Sequence, residues 1–161
     1  MQLYMEQKMF SFKQDFDVFD EDGQPVYHVE GKMFSFGRQM TIYDAKTHSE
    51  LAFIKQKTLA WLQTLDIFRN GQLEGSVTKK FSLFKPQYDI KQLGWKIEGD
   101  VWGYDYQILD DEGYLIASIN KKVWSWSDAF EINIYDDEDY YVDPVIVMAV
   151  VIAIDVAKDN S

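Results

Sequence analysis

The chain contains no cysteine, which excludes a disulfide scaffold, a thiolate metal site and a cysteine nucleophile at once. Histidine is nearly absent too: His28 and His48 are the only two, too few for a histidine metal triad and not at ligand spacing from each other. Positive charge is scarce, with 16 Lys and Arg against 27 Asp and Glu, for a formal net charge of −11. The basic residues form no run longer than the pairs Lys79-Lys80 and Lys121-Lys122. A phosphate backbone repels such a chain, so nucleic acid is excluded as a partner. There is no glycine-rich phosphate loop, no dinucleotide fingerprint and no Gly-x-Ser-x-Gly elbow. The opening "MQLYMEQKMF" lacks the basic and apolar regions of a signal peptide, so a cytoplasmic protein is the expectation.

What is present in excess is apolar and aromatic. Of the 161 residues, 47% are hydrophobic and 16% are Phe, Trp or Tyr, enough for a single domain over 1–161 with a thick core. The pentapeptide "KMFSF" occurs at Lys8 and again at Lys32, and similar units begin at Lys57, Lys80, Glu98 and Lys122. Four residues after each start stands an aromatic: Phe12, Phe36, Trp61, Phe84, Trp102, Trp126. Eight residues on stands a large side chain, mostly apolar: Phe16, Met40, Leu65, Tyr88, Tyr106, Phe130. Ten residues on is always Val or Ile: Val18, Ile42, Ile67, Ile90, Ile108, Ile132. Positions two apart share a face of a strand, so Phe16 and Val18 are expected to point inward and Asp15, Asp17 and Phe19 outward. "DEDG" at 20–23, "RNG" at 69–71 and "DDEG" at 110–113 mark turns. Two strands per unit over six units make about twelve. Three propeller blades would be too few to close, so a closed barrel or a sandwich is expected.

The most apolar stretch, "DPVIVMAVVIAIDVAKD" at 143–159, reads naively as a strand, since seven of the ten residues 145–154 are Val or Ile. Its edges argue for a helix over 144–157. Asp143 before Pro144 is a favourable N-cap and first-turn pair, and Lys158 suits a helix C-terminus. Nine large aliphatic side chains from Val145 to Val156 would gain a gross ~14–27 kcal/mol on burial. Their poor helix propensity costs only about 5 kcal/mol. Between Asp143 and Asp155 the apolar run spans ~17 Å as a helix, against a hydrocarbon layer of ~30 Å. It is too short to cross a membrane. Twelve strands leave a lumen wider than their own side chains fill, and this helix is suited to plug it.

These units, the turn "FDEDGQPVYHVEGK" (19–32), "KKVWSW" (121–126) and the terminal "DPVIVMAVVIAID" resemble the LURP-one-related proteins of the Tubby C-terminal-like superfamily. The resemblance covers nearly the whole chain. It implies an all-β closed barrel of about twelve antiparallel strands around one C-terminal apolar helix. It implies a non-catalytic intracellular binding or scaffold module, acting near membranes or on a protein partner. Relatives in the superfamily include a phosphoinositide-binding protein, Tubby, and the phospholipid scramblases, so a lipid-binding role is the alternative. The phosphoinositide site uses clustered Lys and Arg; no such cluster stands here, and no site residue is carried over.

Other constellations have plain readings. Asp136, Asp137, Glu138 and Asp139 run consecutively and suit a calcium site, although a solvated loop before the helix cap is the favoured reading. "DEDG" at 20–23 fails the EF-hand spacing, because Val18 would occupy its first ligand position. Ser11, Ser35, Ser82 and Ser125 recur with the units, which marks structure and not a nucleophile. A hydrolase with a paired-carboxylate site remains a second alternative among 27 acids. No cofactor or metal is expected. Lys8, Lys32, Lys57, Lys80 and Lys122 open their units and could ring one rim of the barrel as an anion patch, although shielding of strand edges or surface solvation is the favoured reading; loops 85–89 and 136–142 are candidate partner contacts. Given the charge balance, association with anionic membranes is expected to be weak and to run through Lys79, Lys80 and Lys85.

Overall fold

A computed structural model describes residues 1–6, 15–58, 61–123 and 128–159. Its strands are β1 (Gln2–Glu6), β2 (Phe16–Phe19), β3 (Pro25–Phe34), β4 (Gly37–Asp44), β5 (Glu50–Lys57) and β6 (Thr64–Arg69). They continue with β7 (Gln72–Lys80), β8 (Gln87–Lys91), β9 (Lys96–Asp100), β10 (Asp105–Leu109), β11 (Leu115–Val123) and β12 (Asp128–Ile134), followed by helix α1 (Pro144–Asp159). All twelve strands form one antiparallel sheet. Each strand lies beside its sequence neighbour, and β1 pairs with β12 from Gln2↔Asn133 to Glu6↔Ala129. β8 and β9 end the ladder and pack against each other, so the barrel is nearly closed.

The inward positions follow the expected register. Phe16, Val18, Met40, Ile42, Leu65 and Ile67 are all buried in one core, and so are their counterparts on β8, β10 and β12. Asp15 is exposed while Asp17 and Phe19 are half-buried on the outer face. In β2, β4, β6 and β10 the pairing register shifts just after the inward Val or Ile, at Val18/Phe19, Ile42/Tyr43, Ile67/Phe68 and Ile108/Leu109. A bulge at that point strengthens twist and bends the strand, which helps a sheet curl on itself. The three marked turns are present, and Gly23, Gly71 and Gly113 sit at φ of 74°, 76° and 93°, where a side chain would be strained.

Helix α1 fills the lumen and runs two residues beyond the expected span. Every residue from Val145 to Lys158 is buried, which explains why eight β-branched residues stay helical: walls on all sides outweigh local preference. Asp143 caps it as expected. Its Oδ1 accepts from the Val145 amide at 2.9 Å, its carbonyl accepts from Val147 at 3.1 Å, and its other carboxylate oxygen pairs with the Arg69 guanidinium.

Candidate functional site

The up-and-down strand order sorts the connections into two rims. All odd strands run one way and all even strands the other, so odd-to-even turns gather at one end and even-to-odd turns at the other. At the odd-to-even rim the unit aromatics emerge. Phe36 lies between β3 and β4, Trp61 between β5 and β6, Phe84 between β7 and β8, and Trp102 between β9 and β10. Trp61, Phe84 and Phe81 are 99%, 94% and 83% exposed, and Leu83 beside them is nearly as bare. Phe34 and Phe36 stack at 4.9 Å between centroids but stay open to solvent. Phe12 and Trp126 lie outside the described residues.

Lysines flank these rings. Lys32, Lys57, Lys80 and Lys122 end or nearly end odd strands at this same rim, as the unit starts suggested; Lys8 lies outside the described residues. Lys57 pairs with Asp66 at 3.4 Å and Lys122 with Glu131 at 2.8 Å, so these two are anchored to the outer barrel wall; Lys80 lies at a looser 3.9 Å from half-buried Asp89. Burial works against the Glu131 charge, yet hydrogen bonds from Lys122 and Asn133 prevail and hold its carboxyl below the usual range. Lys79, Lys80 and Lys85 border a recess of about 420 Å³ together with Trp61, Phe84 and Trp102. Lys79 Nζ lies 6.0 Å from the Trp102 ring centroid. The turns 35–36, 61–63, 81–86 and 101–104 contain no acid, while Asp15, Asp100 and Asp105 stand at the strand ends beside this rim.

Under this rim the helix C-terminus is clamped. Lys158 Nζ donates to the Val101 carbonyl at 3.1 Å, lies 3.4 Å from Asp155 Oδ1, and sits 3.6 Å over the Tyr104 ring. The Tyr104 hydroxyl donates to Asp155 at 2.8 Å, and its ring stacks on Phe130 at 4.8 Å. Tyr104 reaches both through a left-handed backbone, φ 54°, closing the 101–104 turn. Strain of that kind persists where surrounding contacts over-determine it. Burial, and then the Asp155 charge, push the neighbouring Tyr88 phenol up to about 12 and Tyr106 well above its ordinary value.

The opposite rim is acidic. Its connections hold Asp20, Glu21 and Asp22; Asp110, Asp111 and Glu112; and Asp136 to Asp139 with Asp143. Those eleven carboxylates match the net charge of −11, so the acids elsewhere equal the Lys and Arg in number. Several serve turns. Asp20 accepts from the amides of Asp22 and Gln24 at 3.0 and 2.8 Å, and Asp110 from those of Glu112 and Tyr114 at 2.9 and 2.8 Å. Asp137 likewise accepts from the Asp139 amide at 2.9 Å, and Asp136, Asp137, Glu138 and Asp139 are all exposed. The exposed aromatics here are Tyr114, Tyr135, Tyr140 and Tyr141, each carrying a hydroxyl.

Two placements depend on pairing that sequence spacing does not contain. Loops 85–89 and 136–142 do not share a surface: 85–86 lies at the aromatic rim, 87–89 belongs to β8, and 136–142 lies at the acidic rim. Strand order decides this, and sequence spacing does not contain it. His28, paired across β2 and β3 with Asp17, has its Nδ1 2.6 Å from Asp17 Oδ1. Ligand atoms of Asp15, His28 and Glu30 lie within 4.8 Å of one another, a grouping that cross-strand register creates. His48 is exposed in the β4–β5 turn.

Comparison with known proteins agrees with this architecture. The family model described as LURP-one-related matches residues 1–155. The uncharacterised protein YxjI of Bacillus subtilis is 36% identical over 160 residues, covering 99% of this chain and 95% of its own length. An X-ray structure of an Arabidopsis thaliana protein superposes with a TM-score of 0.67 at 14% identity, covering 99% of this chain and 92% of that one, which shows a shared fold. With a matching family model over almost its full length and a relative at this identity, the chain belongs to the LURP-one-related family.

Proposed function

We propose that this protein is a non-catalytic binding module, a single domain working inside the cell, whose working face is the aromatic and basic rim. The observation that carries this is the near-complete exposure of Trp61, Phe81 and Phe84 at the ends of neighbouring turns. Large apolar side chains gathered in one exposed patch mark an interaction surface, because leaving them in water forfeits their burial. Chemistry has weaker support. A hydrolytic carboxylate pair needs two acids converging on a substrate cleft, whereas the acids of the opposite rim stand exposed or accept hydrogen bonds from their own turns.

Hydroxyl-radical footprinting of the protein in whole-cell extract and as purified material tests the reading. Trp61, Phe81 and Phe84 should be labelled less in the extract, while Tyr114 and Tyr141 at the acidic rim should be labelled equally in both. Equal labelling of the aromatic rim, or protection confined to the acidic rim, would overturn it.

A further inference from the structure

Resting on that reading, we infer that the occupant of the rim is the surface of an anionic lipid bilayer, into which Trp61, Phe81, Leu83 and Phe84 insert while Lys79, Lys80 and Lys85 meet the lipid phosphates. The first support is shape. These side chains stand on the ends of two adjacent turns that project from the same barrel end. A protein partner usually grips aromatics set in packed surroundings; here the rings are almost bare. Projecting Trp, Phe and Leu beside Lys is the composition of segments that lie in a membrane interface.

The second support is the division of residue types between the rims. The insertion-competent rim exposes Phe, Trp, Leu and Met, while every exposed aromatic at the other end is a tyrosine. Folding alone gives no reason for that segregation, since none of these side chains contributes to the core.

The third support is charge, where the net value misleads. The surplus of acid sits at the even-to-odd rim, and α1 spans the barrel between the two ends. Its 16 residues measure about 24 Å, roughly three Debye lengths at physiological salt. With the aromatic rim on a bilayer, repulsion from the distant carboxylates is screened, while lysines at the surface feel the full leaflet potential. The charge distribution also turns the aromatic end toward a negative surface during approach. The molecule is therefore oriented by its field and held by its rings.

Co-sedimentation of the full chain with vesicles tests this directly. Partition into phosphatidylcholine–phosphatidylglycerol vesicles should exceed that into phosphatidylcholine alone. The triple change Lys79→Gln, Lys80→Gln, Lys85→Gln should lower the partition coefficient roughly a hundredfold, at about fivefold per lysine. Trp61→Ser with Phe84→Ser should lower it at least tenfold, and Tyr114→Ser with Tyr141→Ser should leave it unchanged. All the substituted side chains lie on the surface, and an unchanged melting temperature verifies that each variant is folded. Absent partition, or partition indifferent to both rim variants, overturns the inference. If vesicles fail but the rim is protected in extract cleared of membranes, the partner is a protein and only this inference falls. If the rim is protected in no extract, the proposed working face falls with it.

Discussion

Replacing Lys158 with methionine should destabilise the protein by about 3–5 kcal/mol, the range for removing one member of a buried ion pair. Lys158 is 4% exposed and Asp155 3%, so the carboxylate would keep its charge in the lumen without its cation 3.4 Å away. The Val101 carbonyl would lose its donor at 3.1 Å as well. Methionine retains most of the aliphatic stem, which isolates the charge from the packing. Domains of this kind have total stabilities of about 5–15 kcal/mol, so roughly a fifth of the total or more is at stake. With a urea slope of about 2 kcal/mol per molar, the midpoint should fall by roughly 1.5–2.5 M. The double variant Lys158→Met, Asp155→Asn removes both charges and leaves an oxygen for the Tyr104 hydroxyl. It should recover most of the loss, because a buried pair is worth little net while a broken one is costly. Far-UV circular dichroism in urea measures all four members of the cycle. A single variant within about 0.5 kcal/mol of the parent, or a double loss equal to the sum of the singles, would refute the clamp.

The other expectations concern the same helix and its walls. Asp143→Ala should cost about 1–2 kcal/mol through the lost cap alone, lowering the melting temperature by some 2–8 °C; Asp143→Asn should recover the cap but not the Arg69 pair, so its melting point should fall between. Val151→Asp buries an unpaired charge in the lumen, and a chain ended at Asp143 loses α1 altogether; neither should show a cooperative melt, and a cooperative 1–143 fragment would contradict the plug. Tyr88 has a buried hydroxyl with no hydrogen-bond partner among the described residues, so Tyr88→Phe should be neutral or stabilising at neutral pH. Its phenol is pushed up to about 12, by burial first and Asp155 second. The fold thus favours the neutral form, and that contribution is whole below pH 10 and lost as pH rises to about 12. Alkaline titration of parent and Tyr88→Phe should show a shallower stability loss in the variant.

The core was legible in the sequence because strand burial has period two and the helix announces its own cap. Inward Val18, Ile42 and Ile132 were found by counting, and Asp143-Pro144 located the start of α1 to the residue. The site was only half legible. Aromatics such as Trp61 and Phe84 stood out by regular spacing, yet nothing local says that their turns meet at one end. That depends on every strand pairing with its sequence neighbour, a global fact. The same holds for the Asp15, His28 and Glu30 grouping, which exists because Asp17 pairs with His28 across the ladder. Net charge is legible in the sequence and its placement is not: a sum over the chain is silent about whether carboxylates lie beside a surface or a barrel length away.

The two apolar features of this chain illustrate different physical fates. Residues 145–157 are as greasy as any interfacial segment, but they are enclosed, capped at Asp143 and clamped at Lys158, so folding alone accounts for them. Trp61, Phe81 and Phe84 are not enclosed, and burial within the chain cannot account for their residue types. Exposed positions tolerate polar residues at little cost in stability, and the even-to-odd rim of the same barrel does without exposed Phe and Trp altogether. The barrel therefore closes without needing an aromatic rim, and the free energy those rings forgo in water is recoverable only in contact with something else. An up-and-down barrel is well suited to such a contact, since its topology puts one type of turn at one end and leaves the other end free to carry the charge that keeps unbound molecules apart.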